Sequence, residues 1–204
     1  MNLTRITQQF LTGNLTLEDA LPTQMPAYVN SVAYLFGVSA LSGLGMLILT
    51  GVVMTIFGPL WYHNSLAGRF VNSLHFWSVQ VFFFATVLHL ITKYLKAAWR
   101  EGRAWTWIVG VLTFGAAMIT GLTGYLSQTN WDSQWISVQS KDALNATGIG
   151  AFINTMDTAQ VLTLHVVVLP LVVVILVGIH LFFIRRDSPV RPLPLEGSQN
   201  EPKI

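Results

Sequence analysis

Residues 72–95 read NSLHFWSVQVFFFATVLHLITKYL and residues 159–184 read AQVLTLHVVVLPLVVVILVGIHLFFI. Both runs exceed the about 20 helical residues needed to cross a hydrocarbon core. Each carries two histidines: His75 and His89 stand fourteen positions apart, His165 and His180 fifteen. At about 100° per residue those separations return to within about 40° and about 60° of the starting direction, so each pair shares one helix face. The rise between partners is about 21 Å and about 22 Å, which puts one histidine of each helix near each membrane surface. Ionisable side chains are costly inside a span, so four of them at two nearly equal separations ask for a ligand that would make them useful.

Two further spans are expected from Asn30 to Phe57 and from Trp105 to Leu126. The histidine-bearing helices, with one span between them, run in the same direction. His75 therefore shares a level with His165, and His89 with His180. Two imidazoles facing each other at one level, repeated at a second, form a template for two stacked six-coordinate haems in a four-helix bundle. With both axial positions taken, the chemistry expected of such an iron is one-electron transfer. A lone intramembrane histidine is more often a helix-to-helix hydrogen bond or a proton relay, but the coincidence of levels and faces in two helices favours ligation. Glycine gives a separate signal: Gly37 and Gly51 on the first span are fourteen apart, and so are Gly110 and Gly124 on the third. A missing side chain lets a non-ligating helix approach the faces and edges of a haem. Gly43, Gly45, Gly115 and Gly121 need do no more than pack helices.

Composition agrees with a bilayer as solvent. Of 204 residues, 52% are hydrophobic and 10% charged, where a soluble domain carries about a quarter charged. Many of the seven tryptophans lie near the ends of the apolar runs, the place that amphipathic rings favour. Cysteine is absent, which removes disulfides, thiolate iron–sulfur clusters, Cys-type zinc sites and thioether attachment of haem. Any haem would be held by coordination alone. A net charge of +2, with its cations near membrane ends, gives no footprint for nucleic acid.

Lysine and arginine set the orientation. The second connection holds Lys93, Lys96, Arg100 and Arg103, and the C-terminal segment holds Arg185, Arg186, Arg191 and Lys203, whereas the other two connections hold only Arg69 and Lys141. Both termini are expected on the cytoplasmic side of a bacterial-type inner membrane. Residues 1–28, with Leu3, Ile6, Phe10 and Leu11 at helical spacing, are expected to form an amphipathic surface helix, without the apolar core and cleavage site of a signal peptide. Residues 29–186 form the transmembrane domain, and 187–204, with four prolines, an extended or disordered tail. The connection from Ser127 to Thr158 is long enough to carry function or short helices of its own. Pro170 is expected to kink the fourth span between its two histidines. His63, beside Trp61 and Tyr62, reads as a surface loop residue.

These residues resemble the N-terminal half of cytochrome b, and in particular the split form called cytochrome b6. The resemblance covers nearly the whole chain. It is carried by the two histidine spacings, the run Leu164, His165, Leu169, Pro170, Leu171, the dipeptide Thr50–Gly51, Trp107 leading into Gly110, the run Thr123, Gly124, Tyr125, and the dipeptide Trp131–Asp132. Fourteen residues between His165 and His180 favour the split type. The resemblance implies a core subunit of a quinol-oxidising bc-type complex, respiratory or photosynthetic. There, one electron from quinol passes to a Rieske iron–sulfur protein and a c-type cytochrome, the other crosses the membrane to reduce quinone, and protons are released outside. It implies two non-covalent b haems, a low-potential outer one on His75 and His165 and a high-potential cytoplasmic-side one on His89 and His180. It also implies a subunit IV-like chain carrying the later helices, a dimeric complex, and menaquinone or ubiquinone as substrate.

Further roles are weighed residue by residue. Tyr125, Trp131 and Asp132, at the outer end of the third span, are candidates to line the quinol pocket, with the interfacial belt the competing reading for the two aromatics. Asp19 is a candidate to assist quinone protonation on the cytoplasmic side, against a solvated face charge or helix cap. Arg69, Arg103 and Arg185 would meet haem propionates, with Lys93, Arg100 and Arg186 as neighbouring cations. The chain departs from the family where Leu126 to Asn130 separate Tyr125 from Trp131, where Asn72 and Phe76 replace basic residues around His75, and where plant-type relatives place a haem-attaching cysteine. A dihaem anchor passing electrons between a dehydrogenase or hydrogenase and the quinone pool is the alternative, and a haem-free relay protein a third reading.

Overall fold

Ser31, Ser65, Asn130 and Asp157 decide where four of the helices begin. Each side-chain oxygen accepts a backbone N–H of the first turn that would otherwise lack a partner: Tyr34 at 3.3 Å, Gly68 at 2.9 Å, Ser133 at 2.8 Å, and Ala159 at 3.0 Å. The computed structural model describes residues 31–128 and 130–187. The expected surface helix at 1–28, Asp19 within it, and the tail beyond Asp187 lie outside the described residues. In chain order the elements are α1 (Val32–Asn64), α2 (Leu66–Leu95), α3 (Ala104–Leu126), α4 (Trp131–Ala146), a 3-10 turn (Ile149–Ala151), α5 (Thr158–Thr163), a π-helical turn (Leu164–Val168) and α6 (Leu169–Asp187). Among the described residues there is no strand. The helices long and apolar enough to cross a membrane are α1, α2, α3 and the continuous stretch Thr158–Asp187, so the chain is an all-α, four-span membrane protein.

The element boundaries refine the expected ones. At Gly58 the backbone turns to φ 77° and ψ 172°, a region essentially open to glycine alone. Pro59 follows, where its fixed φ and missing N–H suit the start of a new helical turn. The helix therefore breaks after Phe57 as expected but resumes to Asn64, which places His63 on a helix instead of in a loop. The second span starts at Leu66, six residues before Asn72, because Ser65 supplies the cap. Arg69 is thus a helical residue. Gly68 sits so close to the preceding turn that a Cβ would stand 2.6 Å from Cα of Tyr62.

The connection after α3 carries α4, as its length suggested. Lys141 clamps the return by donating from Nζ to the carbonyls of Gly150 at 2.6 Å and Ile153 at 3.3 Å. Thr155 adds a buried bond to the Ser137 carbonyl at 2.7 Å.

Most large apolar side chains face outward, as lipid-facing surfaces do, while Thr50, Ser78 and Thr123 are buried. Cohesion in such a bundle comes from close packing and interhelical hydrogen bonds, because lipid is as apolar as leucine. Gly43 brings α1 onto α2, where a Cβ would meet the Phe82 backbone at 3.2 Å. α1 packs along α2 and α3 along α6, so the bundle is built of two close helix pairs.

The irregularity expected at Pro170 takes the form of a widened turn. Pro170 has no N–H for the carbonyl four residues back, and its ring crowds that carbonyl. The chain answers with a π-helical turn in which Leu169 N–H bonds the Leu164 carbonyl. A π turn takes in one extra residue. The fifteen positions from His165 to His180 therefore cover about the rotation of the fourteen from His75 to His89.

Candidate functional site

His75 on α2 and His165 in the π turn face each other, with ring centroids 6.3 Å apart and planes at 82°. Both line an apolar cavity of about 340 Å³, together with Gly51, Thr120, Gly121 and Pro170. His89 and His180 are neighbours at the other end of the bundle, and Lys93 lies within electrostatic range of both. The levels inferred from spacing are the levels the fold produces.

Each histidine rests against one of the four glycines set fourteen apart. A Cβ on Gly124 would stand 2.5 Å from Cε1 of His165, one on Gly110 2.9 Å from Cε1 of His180, one on Gly37 3.1 Å from His89, and one on Gly51 3.5 Å from His75. The glycine also opens a hydrogen-bond acceptor. Helical side chains lean toward the N-terminus and cover the turn before them; without one, the carbonyl four residues earlier is left accessible. Nδ1 of His165 lies 2.9 Å from the Thr120 carbonyl, four before Gly124, and Nδ1 of His180 lies 3.0 Å from the Thr106 carbonyl, four before Gly110. Nδ1 of His75 lies 2.8 Å from Oγ1 of Thr50 instead, and Nδ1 of His89 is buried without a partner among the described residues.

A carbonyl can only accept, so His165 and His180 carry their proton on Nδ1 and keep the Nε2 lone pair free. This is the tautomer a metal-ligating imidazole adopts when its second nitrogen is held by a carbonyl. Each pair offers two nitrogens, and among the described residues no cluster of three His, Cys, Asp or Glu side chains forms. Two axial nitrogens are what the iron of a porphyrin needs, since the macrocycle supplies the other four. The apolar cavity bordered by His75 and His165 also fits such a group.

The remaining candidates sit further out. Tyr125 is partly exposed at the end of α3, and Trp131, 78% exposed, opens α4 with Asp132 in its first turn; none of the three lines the cavity of His75 and His165. Arg69 lines a separate surface cleft of about 350 Å³ with Tyr62, His63, Asn72, Ser73, Phe76 and Gln128. Arg103 is 7% exposed and pairs with Glu101 at 3.0 Å. Arg185 is exposed on the last turn of α6. A contact that the sequence reading missed ties the inner end together: Thr106 donates to Asp187 at 2.7 Å, while its carbonyl meets His180. No pattern in the sequence announces that pair, which is 81 positions apart.

Paired imidazoles at two levels between four membrane helices define the architecture of a b-type cytochrome. The family described as "Cytochrome b(N-terminal)/b6/petB" matches residues 80–203, and the chain belongs to that family. Its relatives include the cytochrome b6 of Heterocapsa triquetra, 25% identical over 203 residues that cover 86% of this chain and 92% of that protein. The menaquinol:cytochrome c reductase cytochrome b subunit of Geobacillus thermodenitrificans is 26% identical over 208 residues, covering 86% of this chain and 91% of that one. Among solved structures, a chain of a hyperthermophilic respiratory Complex III shares the fold, with a TM-score of 0.72 at 19% identity over 98% of this chain. This chain spans 57% of the length of that one. Membership makes the chain an electron-transfer protein of the haem b type, and its four apolar spans make it integral to the membrane.

Proposed function

We propose that the chain is the dihaem subunit of a quinol-oxidising bc-type complex, with one b haem held by His75 and His165 and a second by His89 and His180. The observation that carries this is the glycine facing each of the four histidines, with the carbonyl four residues before that glycine bonded to Nδ1 of His165 and His180. A haem held by these histidines would supply one-electron transfer. The chain's own residues hold Nε2 toward the bundle interior, keep water from the outer pair with an apolar lining, and set the two levels about 21 Å apart along α2. Lys93, Arg103 and Arg185 at the inner end, and Arg69 at the outer, are the cations placed to meet propionates. Arg103 would exchange its Glu101 partner to do so.

Quinol oxidation belongs to the outer end, near Tyr125, Trp131 and Asp132, with Asp19 serving quinone on the cytoplasmic side. The termini lie in the cytoplasm of a bacterial-type cell, and the complex couples electron flow to proton translocation. Its partners are a subunit IV-like chain, a Rieske protein and a c-type cytochrome, in a dimeric assembly that uses menaquinone or ubiquinone. Family membership favours this reading over a dehydrogenase or hydrogenase anchor.

Purification of the intact complex with subunit identification and haem counting tests it. The expected result is two b haems per chain, with a Rieske partner, and loss of one haem in His89→Ala. A wild-type complex without b-type spectra, or a His89→Ala complex with unchanged haem content, would overturn it.

A further inference from the structure

The residue before each histidine-facing glycine differs between the two levels. At the outer level it is Thr50 before Gly51 and Thr123 before Gly124; at the inner level it is Phe36 before Gly37 and Val109 before Gly110. Both threonines are buried. Oγ1 of Thr50 lies 2.8 Å from Nδ1 of His75. Its own hydrogen is committed to the Met46 carbonyl at 2.7 Å, so the hydroxyl oxygen accepts Nδ1–H from the imidazole. Thr50 is thus the acceptor that holds Nδ1 of His75. Thr123 repeats the arrangement more loosely: it donates to the Thr120 carbonyl at 2.9 Å and stands 3.5 Å from Nδ1 of His165. At the inner level Phe36 and Val109 stand in place of the threonines. His180 has the Thr106 carbonyl, and among the described residues His89 has no bond at Nδ1.

We propose that Thr50, assisted by Thr123, is a positioning residue that gives the outer haem ligand a hydroxyl acceptor and so lowers the midpoint potential of the outer haem relative to the inner. The inference rests on the dihaem reading above. A ligating imidazole whose Nδ1–H is strongly accepted becomes the more basic ligand, and second-shell hydrogen bonding of this kind is one of the protein's levers on an iron centre. Greater basicity favours the oxidised iron. The bias sits at the outer level because only there does a hydroxyl precede the glycine.

The test is a redox titration of the two b haems in the intact complex carrying Thr50→Val, Thr50→Ser or Val109→Thr. Valine matches threonine in shape and removes the oxygen. Thr50→Val is expected to retain both haems and to raise the midpoint of one by up to tenfold in the reduced-to-oxidised ratio, about 59 mV for a one-electron couple. Thr50→Ser restores the wild-type value. Val109→Thr, which builds the outer arrangement beside His180, is expected to lower the midpoint of the other haem. Two haems whose midpoints stay unmoved in Thr50→Val, fall, or shift equally would overturn this inference alone. Absence of two haems from the wild-type complex would instead overturn the dihaem reading, and the inference with it.

Discussion

At the outer level, Nδ1 of His165 meets a carbonyl, His75 meets a threonine hydroxyl, and both rings border an apolar cavity. At the inner level His180 meets a carbonyl whose own residue is tied to Asp187, Nδ1 of His89 has no partner among the described residues, and Lys93 stands near both. The four histidines are alike in type, spacing and facing glycine, so what separates the two levels lies in what surrounds them. A bundle can repeat a binding unit along its length and still give each copy its own electrostatic character, because the neighbours of the unit vary independently of it.

The glycines give the sharpest means of breaking the comparison. Replacement by alanine should hurt in the order Gly124, Gly110, Gly37, Gly51, following how far each new Cβ would intrude on its imidazole. Gly124→Ala is expected to cost about 1–3 kcal/mol by overpacking and to strip the outer haem, whereas Gly51→Ala stays within about 0.5 kcal/mol and keeps it. Thermal unfolding in detergent and haem content per chain check the ranking; equal losses across all four would deny that the imidazole contact sets it.

A smaller effect is expected at the inner end. Thr106→Val removes the bond to Asp187 while leaving the backbone carbonyl for His180, and should cost about 1 kcal/mol. Its spectral signature should be confined to the inner haem; a change confined to the outer haem would contradict the separation of levels. Least of all, Arg69→Ala at the exposed outer cleft should move stability by no more than about 0.5 kcal/mol and leave both haems bound. Loss of the outer haem in that variant would show that a propionate contact, more than the imidazole shell, holds it.

The spans, the levels and the glycine period could all be read from the sequence because each depends on helical geometry alone. The acceptor role of the glycines could not, since it belongs to carbonyls that no side chain announces. The dipeptide Thr–Gly facing both His75 and His165 was visible as a motif, yet its use depends on hydroxyl rotamers and on a neighbouring helix. The π turn was half legible: a proline beside a histidine pair one residue too far apart is its signature, and kinking accounts for the proline without accounting for the extra residue. The resumption of α1 after Gly58 was hidden because Gly–Pro usually ends a helix and gives no sign that another turn follows.

Because α1 packs along α2 and α3 along α6, each pair of histidines draws one member from each half of the bundle. Whatever joined His75 to His165, or His89 to His180, would therefore link two close helix pairs, and its binding free energy would add resistance to their separation. Supply of that group would then govern survival of the chain in the bilayer as well as its activity: halves left unjoined would be the form that membrane proteases meet.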